Sequence, residues 1–420
     1  MEVGIEAIGT YFGSASLDVK VLAEERKLDI ERFYKNLIVK EKTVAMPYED
    51  PVSNAVNAAK PICDKLSDDE KDAIEMVITC TESGIDMAKS LSTYVHLHLN
   101  LNKRCRLFEI KNACYAGTAG LQMAVNFVLS QTSPNSKVLV ICSDIYRMFD
   151  YLQSDIPEAA YYEPNTGAGA IALLISNKPK IMSIDIGASG YYGFETWDSS
   201  QPMPDYHFGD TDLSLMSYMD CCENSYKEYC KKVDQVDFRE TFQYLAFHTP
   251  FVGMVKGAHR SMMRKFTEVK NPLQINDDFD QRVEPGTHYC KRVGNIMGGS
   301  LYMALAGVID FGDFKEPKRI GLFSYGSGCS SEFFSGIVTN QAKETNKKLD
   351  IEKKLDNRYK LSFSEYQSLF AYNETNLRMG KNNIQIQKEF IQGAYDVVKG
   401  SQSLVLDFIE DNFYRHYKWV

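Results

Sequence analysis

Cys114 stands in the segment FEIKNACYAGTAG, where an apolar run ends and a stretch of glycine and alanine begins. Such a junction predicts a strand followed by a helix, which places the thiol in the positive field of the helix N-terminus. This field lowers the pKa of a cysteine, and the free backbone N–H groups can stabilise an oxyanion. Cys114 is therefore a candidate nucleophile. A structural role stays open, since it is one of ten cysteines in the chain.

Glu82 and His248 also follow predicted buried strands. Glu82 lies in VITCTESGID, and a carboxylate in a partly apolar pocket can have a raised pKa and transfer protons near neutral pH. His248 lies in YLAFHTPF, where the nearby proline favours an extended backbone and places the histidine at a strand end. Strand ends that face a crevice carry the sites of α/β folds. A helix-capping glutamate and a hydrogen-bonded core histidine are the structural alternatives.

Two turns of small residues provide further polar candidates. Asn295 lies in RVGNIMGGS, and Gly326 and Ser327 lie in SYGSGCSSE. Each could contact an oxyanion or an amide, and each could equally cap a helix. The GSG tripeptide lacks the spacing of a phosphate-binding loop, so no nucleotide site is predicted. No metal site is predicted either, because a helix would splay His96 and His98.

Alternating apolar runs and helical stretches indicate the elements that position these residues, and they predict an α/β fold. The predicted strands are residues 74–80, 106–110, 137–143, 168–175, 181–186, 241–247 and 319–325. The predicted helices are residues 118–129, 257–266 and 294–309. Both halves of the chain place a polar turn after a buried strand, which suggests an internal duplication. We therefore predict two domains, residues 1–177 with Glu82 and Cys114, and residues 178–420 with His248, Asn295 and Ser327.

Three polar stretches are predicted to lie at the surface. Residues 148–165 are acidic and rich in tyrosine, which makes them a candidate lid. Residues 271–287 contain two prolines, and residues 343–360 interleave acidic and basic side chains in the manner of a solvated face.

The composition excludes several classes of protein. With 420 residues, 44% hydrophobic and 25% charged, the chain is globular and neither disordered nor fibrous. Its net charge of −9 argues against bulk nucleic-acid binding, and no apolar run reaches the roughly 20 residues of a membrane helix. The N-terminus has no secretory signal pattern, and no two cysteines have CxxC spacing. We therefore expect a protein of the reducing cytoplasm.

Five motifs occur in an order that resembles the 3-hydroxy-3-methylglutaryl-CoA synthases of the thiolase superfamily: TESGID, NACYAGTAG, FHTPF, VGNIMGGSLYMAL and GLFSYGSGCSSEFF. The segments YEDPVSNAVNAAKP, LSQTSP, LSLMSYMDCCE and MVKGAHR are similar to the subgroup that installs β-branches on acyl carrier proteins in polyketide biosynthesis. The resemblance implies a thiolase-like fold of two fused, similar halves, each with a central mixed β-sheet covered by helices. It also implies a homodimer without a bound cofactor.

The resemblance implies a role for each candidate residue. Cys114 would take an acetyl group as a thioester, and Glu82 would remove a proton from its methyl group and later protonate the new alkoxide. His248 would bind the oxygens of the acceptor, which Asn295 would help to orient. The backbone N–H groups of Cys114 and Ser327 would form the oxyanion hole. The implied reaction is an aldol-type addition of the acetyl-enzyme enolate to a β-ketoacyl thioester, after which water releases the product.

Two departures from the mevalonate-pathway members concern the acyl carrier. Those members commonly have a basic residue at the position of Gly253 and a tyrosine at the position of Met297. Without this positive charge, the phosphates of free CoA should be bound more weakly. The change suits an enzyme whose acyl chain is carried on a protein-bound phosphopantetheine arm. Carrier proteins are acidic, so docking requires a local basic patch. Two patches are candidates, with solvated helix faces as the alternative: Arg26, Lys27 and Arg32, and Lys256, Arg260, Arg264, Lys265 and Lys270.

Three other functions compete with β-branching on carrier proteins. A mevalonate-pathway synthase would use acetyl-CoA and acetoacetyl-CoA. A ketoacyl-synthase-like enzyme would perform a Claisen condensation with cysteine, histidine and asparagine, but the TESG carboxylate argues against it. A non-catalytic scaffold for carrier proteins does not require Cys114, Glu82 and His248, so the presence of all three argues against this function.

Overall fold

The structure, a computed structural model, describes residues 1–147, 162–203 and 205–420. Its strands are β1 Gly4–Tyr11, β2 Ala15–Asp18, β3 Glu41–Val44, β4 Ile74–Cys80, β5 Arg106–Ile110, β6 Lys137–Ile145, β7 Ala168–Ser176, β8 Met182–Gly193, β9 Ser199–Met203, β10 Tyr206–Gly209, β11 Tyr244–Phe247, β12 Lys318–Gly326, β13 Ser330–Val338, β14 Tyr359–Lys360, β15 Ile384–Gln385, β16 Leu404–Ile409 and β17 Arg415–Trp419.

Helices alternate with these strands. The α-helices of the described residues are α1 Val19–Glu25, α2 Ile30–Arg32, α3 Pro51–Cys63, α4 Asp68–Asp72, α5 Ser92–His98, α6 Ala116–Ser130, α7 Thr211–Cys230, α8 Val252–Phe266, α9 Pro272–Arg282, α10 Glu284–Val293, α11 Ser300–Phe311, α12 Asn340–Lys347, α13 Ile351–Asp356, α14 Phe363–Asn376 and α15 Gln392–Val398. Short 3-10 helices cover Glu163–Asn165, Met297–Gly299 and Lys388–Ile391, and a π-helix covers Phe33–Leu37. The predicted α/β fold is confirmed.

A nine-stranded mixed sheet forms the centre, in the order β11-β12-β13-β8-β1-β7-β6-β4-β5. The predicted first half contributes β1, β4, β5, β6 and β7, and the second contributes β8, β11, β12 and β13. The two groups meet where β1 pairs with the start of β8. The domain boundary between residues 177 and 178 remains a prediction.

Burial on both faces explains the apolar runs in the central strands. In β6, Leu139 and Ile141 belong to the core beside α3, whereas Val138 and Val140 belong to the core beside α6. Successive side chains of a strand point to opposite faces, so a strand covered on both sides must be apolar throughout. This requirement is why the strands were predictable from the sequence. No helix of the described residues is long and apolar enough to span a bilayer.

The predicted helix at residues 294–309 is wrong in its first turns. Gly294 has a φ of 86°, a left-handed conformation that ends α10, and Asn295 forms a bridge to Thr166. A 3-10 turn follows, and α11 begins at Ser300. The apolar pattern continues through this turn because the turn is buried, so periodicity alone could not reveal it.

Two of the predicted surface stretches are mostly exposed or half-buried but also contain buried charged residues. Residues 271–287 form α9 and the start of α10, and Asp278 and Arg282 are buried there as an ion pair with 2.8 Å between Oδ1 and Nη2. In residues 343–360, Arg358 is buried against Glu41. Residues 148–161 of the candidate lid lie outside the described residues, and Glu163 at its end is buried. Pairing satisfies these charges internally, which composition cannot show.

Candidate active site

The turn that carries Cys114 is packed from two sides by glycines. Cys114 lies two residues before α6, after Ala113 with a φ of 44°. A Cβ at Gly326 would lie 2.5 Å from the backbone nitrogen of Tyr115, and one at Gly117 would lie 2.6 Å from the carbonyl oxygen of Gly298. The absence of these Cβ atoms allows both neighbouring turns to touch the start of α6. Cys114 is half-buried at their junction.

Glu82 lies close enough to Cys114 for its carboxylate to interact with the thiol. It follows β4, and its Oε1 is shielded from solvent without a hydrogen-bond partner among the described residues. Burial raises the pKa of Glu82 to about 7. Burial and the Glu82 carboxylate also raise the pKa of Cys114 well above its usual value. The expected lowering by the helix N-terminus is therefore wrong here, because desolvation and the adjacent carboxylate outweigh the helix field.

Asp144 is a buried carboxylate that sequence reasoning missed. It lies near the end of β6, beside β4, and its Oδ1 accepts four hydrogen bonds. The donors are Thr81 Oγ1 at 2.9 Å, Glu82 N at 2.7 Å, Ser83 N at 3.0 Å and Ser83 Oγ at 2.9 Å. Burial and the nearby Glu82 raise the pKa of Asp144. The available signal was a lone acidic residue near the end of an apolar strand, KVLVICSD.

Asn295 also lies beside Cys114. Its Oδ1 accepts hydrogen bonds from Ser300 Oγ at 2.8 Å and from Met297 N at 3.0 Å. Because the amide oxygen is occupied, the amide nitrogen is the group available to the sulfur, and the interaction of the Asn295 side chain with Cys114 lowers the pKa of the thiol. The structure thus brings three predicted site residues, Cys114, Glu82 and Asn295, into contact.

His248 lies at the end of β11, next to the strand that leads into the Gly326–Ser327 turn. Its backbone nitrogen donates to Phe323 O at 2.7 Å, and its carbonyl accepts from Tyr218 Oη at 2.7 Å. The residue is 1% exposed, and burial lowers the pKa of its imidazole to about 3. Neither ring nitrogen has a hydrogen-bond partner among the described residues. A neutral imidazole with two unpaired buried nitrogens is suited to binding a polar ligand atom.

The turn that holds Ser327 is anchored by Asp198, a second acidic residue that sequence reasoning missed. Asp198 is fully buried and accepts hydrogen bonds from Tyr325 Oη at 2.6 Å and from Gly328 N at 2.9 Å. These bonds fix the backbone on both sides of Ser327, which is half-buried. The segment FETWDSSQ offered no pattern that distinguishes this aspartate from a surface residue.

The candidate docking residues differ in their exposure and in their ion pairs. Lys256 and Arg260 line a cavity of about 350 Å³ together with Lys35. Arg26 does not belong to an exposed patch, because it pairs with the buried Glu163 at 3.0 Å. Arg264 is exposed, as are Lys27, Lys265 and Lys270, whereas the side chain of Arg32 lies outside the described residues.

Comparison with known proteins identifies the family. The model "Hydroxymethylglutaryl-coenzyme A synthase N terminal" matches residues 1–180, and the model "Hydroxymethylglutaryl-coenzyme A synthase C terminal" matches residues 182–276 and 259–419. The chain belongs to the hydroxymethylglutaryl-CoA synthase family. It is therefore an acyl-condensing synthase that forms a carbon–carbon bond, and it has the thiolase fold of that family. Among the described residues, no group of three or more His, Cys, Asp or Glu side chains could hold a metal.

Three known synthases show which members of the family this chain resembles. "Polyketide biosynthesis 3-hydroxy-3-methylglutaryl-ACP synthase PksG" of Bacillus subtilis (strain 168) is 55% identical over 425 residues, covering 100% of both chains. The crystal structure of the curacin biosynthetic pathway HMG synthase in complex with holo donor-ACP gives a TM-score of 0.96 at 53% identity, also over 100% of both chains. The hydroxymethylglutaryl-CoA synthase of Enterococcus faecalis is 34% identical over 378 residues, covering 88% of this chain and 92% of the relative.

Proposed function

We propose that this synthase installs a β-branch in polyketide biosynthesis by adding an acetyl-derived enolate to a β-ketoacyl chain on a carrier protein. The observation that carries the proposal is the full-length similarity to PksG and to the curacin synthase crystallised with donor-ACP. Identity to the Enterococcus faecalis hydroxymethylglutaryl-CoA synthase is 34%. A mevalonate-pathway activity on acetyl-CoA and acetoacetyl-CoA is therefore the less supported alternative.

The first half-reaction loads an acetyl group on Cys114. Its sulfur attacks the carbonyl carbon of an acetyl thioester, a new C–S bond forms, and the carrier sulfur leaves with the proton. The backbone N–H groups of Cys114 and Ser327 stabilise the oxyanion of the tetrahedral intermediate. One such donor contributes about 3 kcal/mol to the stability of the transition state. The packing of Gly326 against Tyr115 supports this assignment, since it holds the two turns together.

The second half-reaction forms the carbon–carbon bond. Glu82 removes a proton from the methyl group of acetyl-Cys114, and the resulting enolate attacks the β-carbonyl carbon of the acceptor. Neutral His248 donates a hydrogen bond to the ketone oxygen, and Glu82 returns its proton to the alkoxide that forms there. A pKa of about 7 lets one carboxyl group accept and then donate a proton near neutral pH. Water then hydrolyses the thioester, which frees Cys114 and gives the product a carboxylate.

The acyl groups arrive on the phosphopantetheine arm of a carrier protein. The cavity beside Lys256 and Arg260 provides positive charge for an acidic partner. Gly253 lines the same cavity, and a Cβ there would lie 1.6 Å from the carbonyl oxygen of Asn36. The backbone thus excludes the basic side chain of the mevalonate-pathway members at this position. We place the enzyme in the cytoplasm, because all ten of its cysteines are unpaired, as in a reducing compartment.

A comparison of acyl carriers tests the function. The enzyme is supplied with acetyl and acetoacetyl groups on carrier proteins, or with the same groups on CoA, and the branched product is measured by mass spectrometry. We expect kcat/KM to be at least about tenfold higher with carrier proteins. The double variant Lys256→Glu/Arg260→Glu should lose this preference, whereas the exposed pair Lys103→Glu/Arg104→Glu should keep it. Equal or faster turnover with CoA would support the mevalonate-pathway alternative.

A further inference from the structure

Lys42 is a buried lysine that the proposed reaction does not use. It lies in β3, a strand buried along its whole length, and is 2% exposed. Its Nζ donates hydrogen bonds to the carbonyl oxygen of Glu163 and, at 2.7 Å, to Thr166 Oγ1. Desolvating an ammonium group is costly, so such a group persists only where its hydrogen bonds are satisfied. Both of its acceptors belong to the turn of residues 163–166.

This turn is held from two other elements as well. The carboxylate of Glu163 accepts hydrogen bonds from Arg26 Nη2 at 3.0 Å and from Tyr366 Oη at 3.0 Å. Arg26 directly follows α1, and Tyr366 lies in α14. Together with Lys42, they fix the backbone and the side chain of Glu163. The turn therefore has one defined position relative to β3.

The fixed turn sets the backbone of Asn295. The amide nitrogen of Asn295 donates to Asn165 O at 2.7 Å, and its carbonyl accepts from Gly167 N at 2.9 Å. The two segments are in close contact, since a Cβ at Gly167 would lie 2.5 Å from the carbonyl oxygen of Val293. A displacement of the turn must therefore displace Asn295. A Cβ at Gly298, in the turn that follows Asn295, would lie 3.6 Å from the carbonyl oxygen of Cys114. The side chain of Asn295 interacts with the thiol of the same cysteine.

We propose that Lys42 is a positioning residue of the active site, acting through the 163–166 turn to aim the amide of Asn295 at Cys114. The proposal rests on the proposed function, because it matters for catalysis only if Cys114 is the nucleophile. It extends the site to a residue that lies outside every motif of the sequence. The same geometry explains why a lysine is tolerated in a buried strand.

The test measures the reactivity of Cys114 in the absence of any substrate. Alkylation of Cys114 by iodoacetamide is followed by peptide mass spectrometry as a function of pH in the wild type, Lys42→Met and Asn295→Ala. Because the Asn295 contact favours the thiolate, its loss should move the alkylation profile to higher pH. We expect Lys42→Met to move the profile in the same direction, and the double variant to move it no further than Asn295→Ala. Acetylation of Lys42→Met should slow about tenfold.

The control is Lys137→Met. Lys137 is another buried lysine, which lies at the start of β6 and forms an ion pair with Glu6. This substitution should destabilise the fold without moving the alkylation profile. If Lys42→Met does not fold, Tyr366→Phe removes only one bond to Glu163 and should give a smaller shift in the same direction. An unchanged profile in the folded variant, an equal shift in Lys137→Met, or full additivity with Asn295→Ala would overturn the proposal. Wild-type enzyme that is alkylated but accepts no acetyl group would instead count against the proposed function.

Discussion

At the scale of residues, the proposed site depends on a carboxylic acid and a thiol that are both half-buried. Burial raises the pKa of Glu82, although its interaction with Cys114 lowers it, whereas burial and the Glu82 carboxylate both raise the pKa of Cys114. A thiol held in this state needs donors that stabilise its charge when it reacts. In the proposed mechanism, Asn295 and the backbone N–H groups of the two glycine-rich turns are these donors.

The substitution Glu82→Gln separates the two half-reactions. The amide cannot take a proton from the acetyl methyl group, so condensation should fall by about a thousandfold or more. Acetylation should continue, because the Glu82 charge and its interaction with the thiol both raise the pKa of Cys114, and the substitution removes the charge. In the wild type, condensation should rise with pH through about 7 as Glu82 loses its proton. Rapid-quench mass spectrometry measures both steps, and normal condensation by Glu82→Gln would assign the base elsewhere.

The same carboxylate should weaken the fold at alkaline pH. Glu82 has a folded pKa of about 7 against an ordinary value of 4.5, so the folded state binds the proton more tightly than the unfolded state. Its contribution to stability is therefore full below pH 4.5 and declines as the pH rises through 7. Glu82→Gln should raise the free energy of unfolding at pH 8 by about 2 kcal/mol and change it little at pH 4.5. Urea denaturation at both pH values measures this change. The control is Glu25→Gln at an exposed position, where the difference in unfolding free energy from the wild type should not depend on pH.

At the scale of elements, α9 shows how a polar helix becomes part of the core. Asp278 accepts hydrogen bonds from Arg282 at 2.8 Å and from His259 at 2.7 Å. Burial alone would raise the pKa of Asp278, but the bonds from His259 and Arg282 lower it to about 2. Asp278→Ala should cost about 3 kcal/mol or more, since it leaves the buried Arg282 unpaired. Thermal denaturation should show the loss, whereas Asp277→Ala, exposed on the same helix, should be nearly neutral.

A normal rate of acetylation from acetyl-CoA per folded molecule is expected for Asp278→Ala, because α9 does not contribute to the site around Cys114. A variant that stays as stable as the wild type would show that the ion pair adds nothing to the fold. A variant that folds but fails to acetylate would give α9 a role in the site.

The strands were predictable because burial on both faces demands unbroken apolar runs, as in β6 and β7. Cys114 and Glu82, which remain candidate site residues, could be proposed from the sequence because each follows such a run. Asp144 and Lys42 were not, since their partners are distant in sequence and only the fold brings them together. The start of α11 was missed for a related reason, because a buried turn and a buried helix share the same apolar composition.

At the scale of the whole molecule, the central sheet ends at β5, which pairs only with β4 among the described residues. The strand carries half-buried apolar side chains, Phe108 and Ile110, and Met123 of the adjacent α6 is 47% exposed. An apolar edge strand of this kind invites pairing with another chain. We therefore expect the predicted homodimer to form across β5.

Phe108→Arg should convert this dimer to a monomer, because it places a charge in the strand-to-strand contact. Size-exclusion chromatography with light scattering measures the mass. The control is Met216→Arg, which changes a side chain that is 63% exposed on α7 and should leave the dimer intact. A wild-type monomer, or a dimer that survives Phe108→Arg, would place the subunit contact elsewhere.

The most direct test of the central claim is intact-mass spectrometry of the enzyme after mixing with an acetylated donor carrier protein. The account predicts a mass gain of one acetyl group on the wild type and none on Cys114→Ser, with slower or weaker labelling from acetyl-CoA. No acetylation from either donor, or equal labelling of Cys114→Ser, would contradict the assignment of Cys114 as the nucleophile of a carrier-protein-dependent synthase.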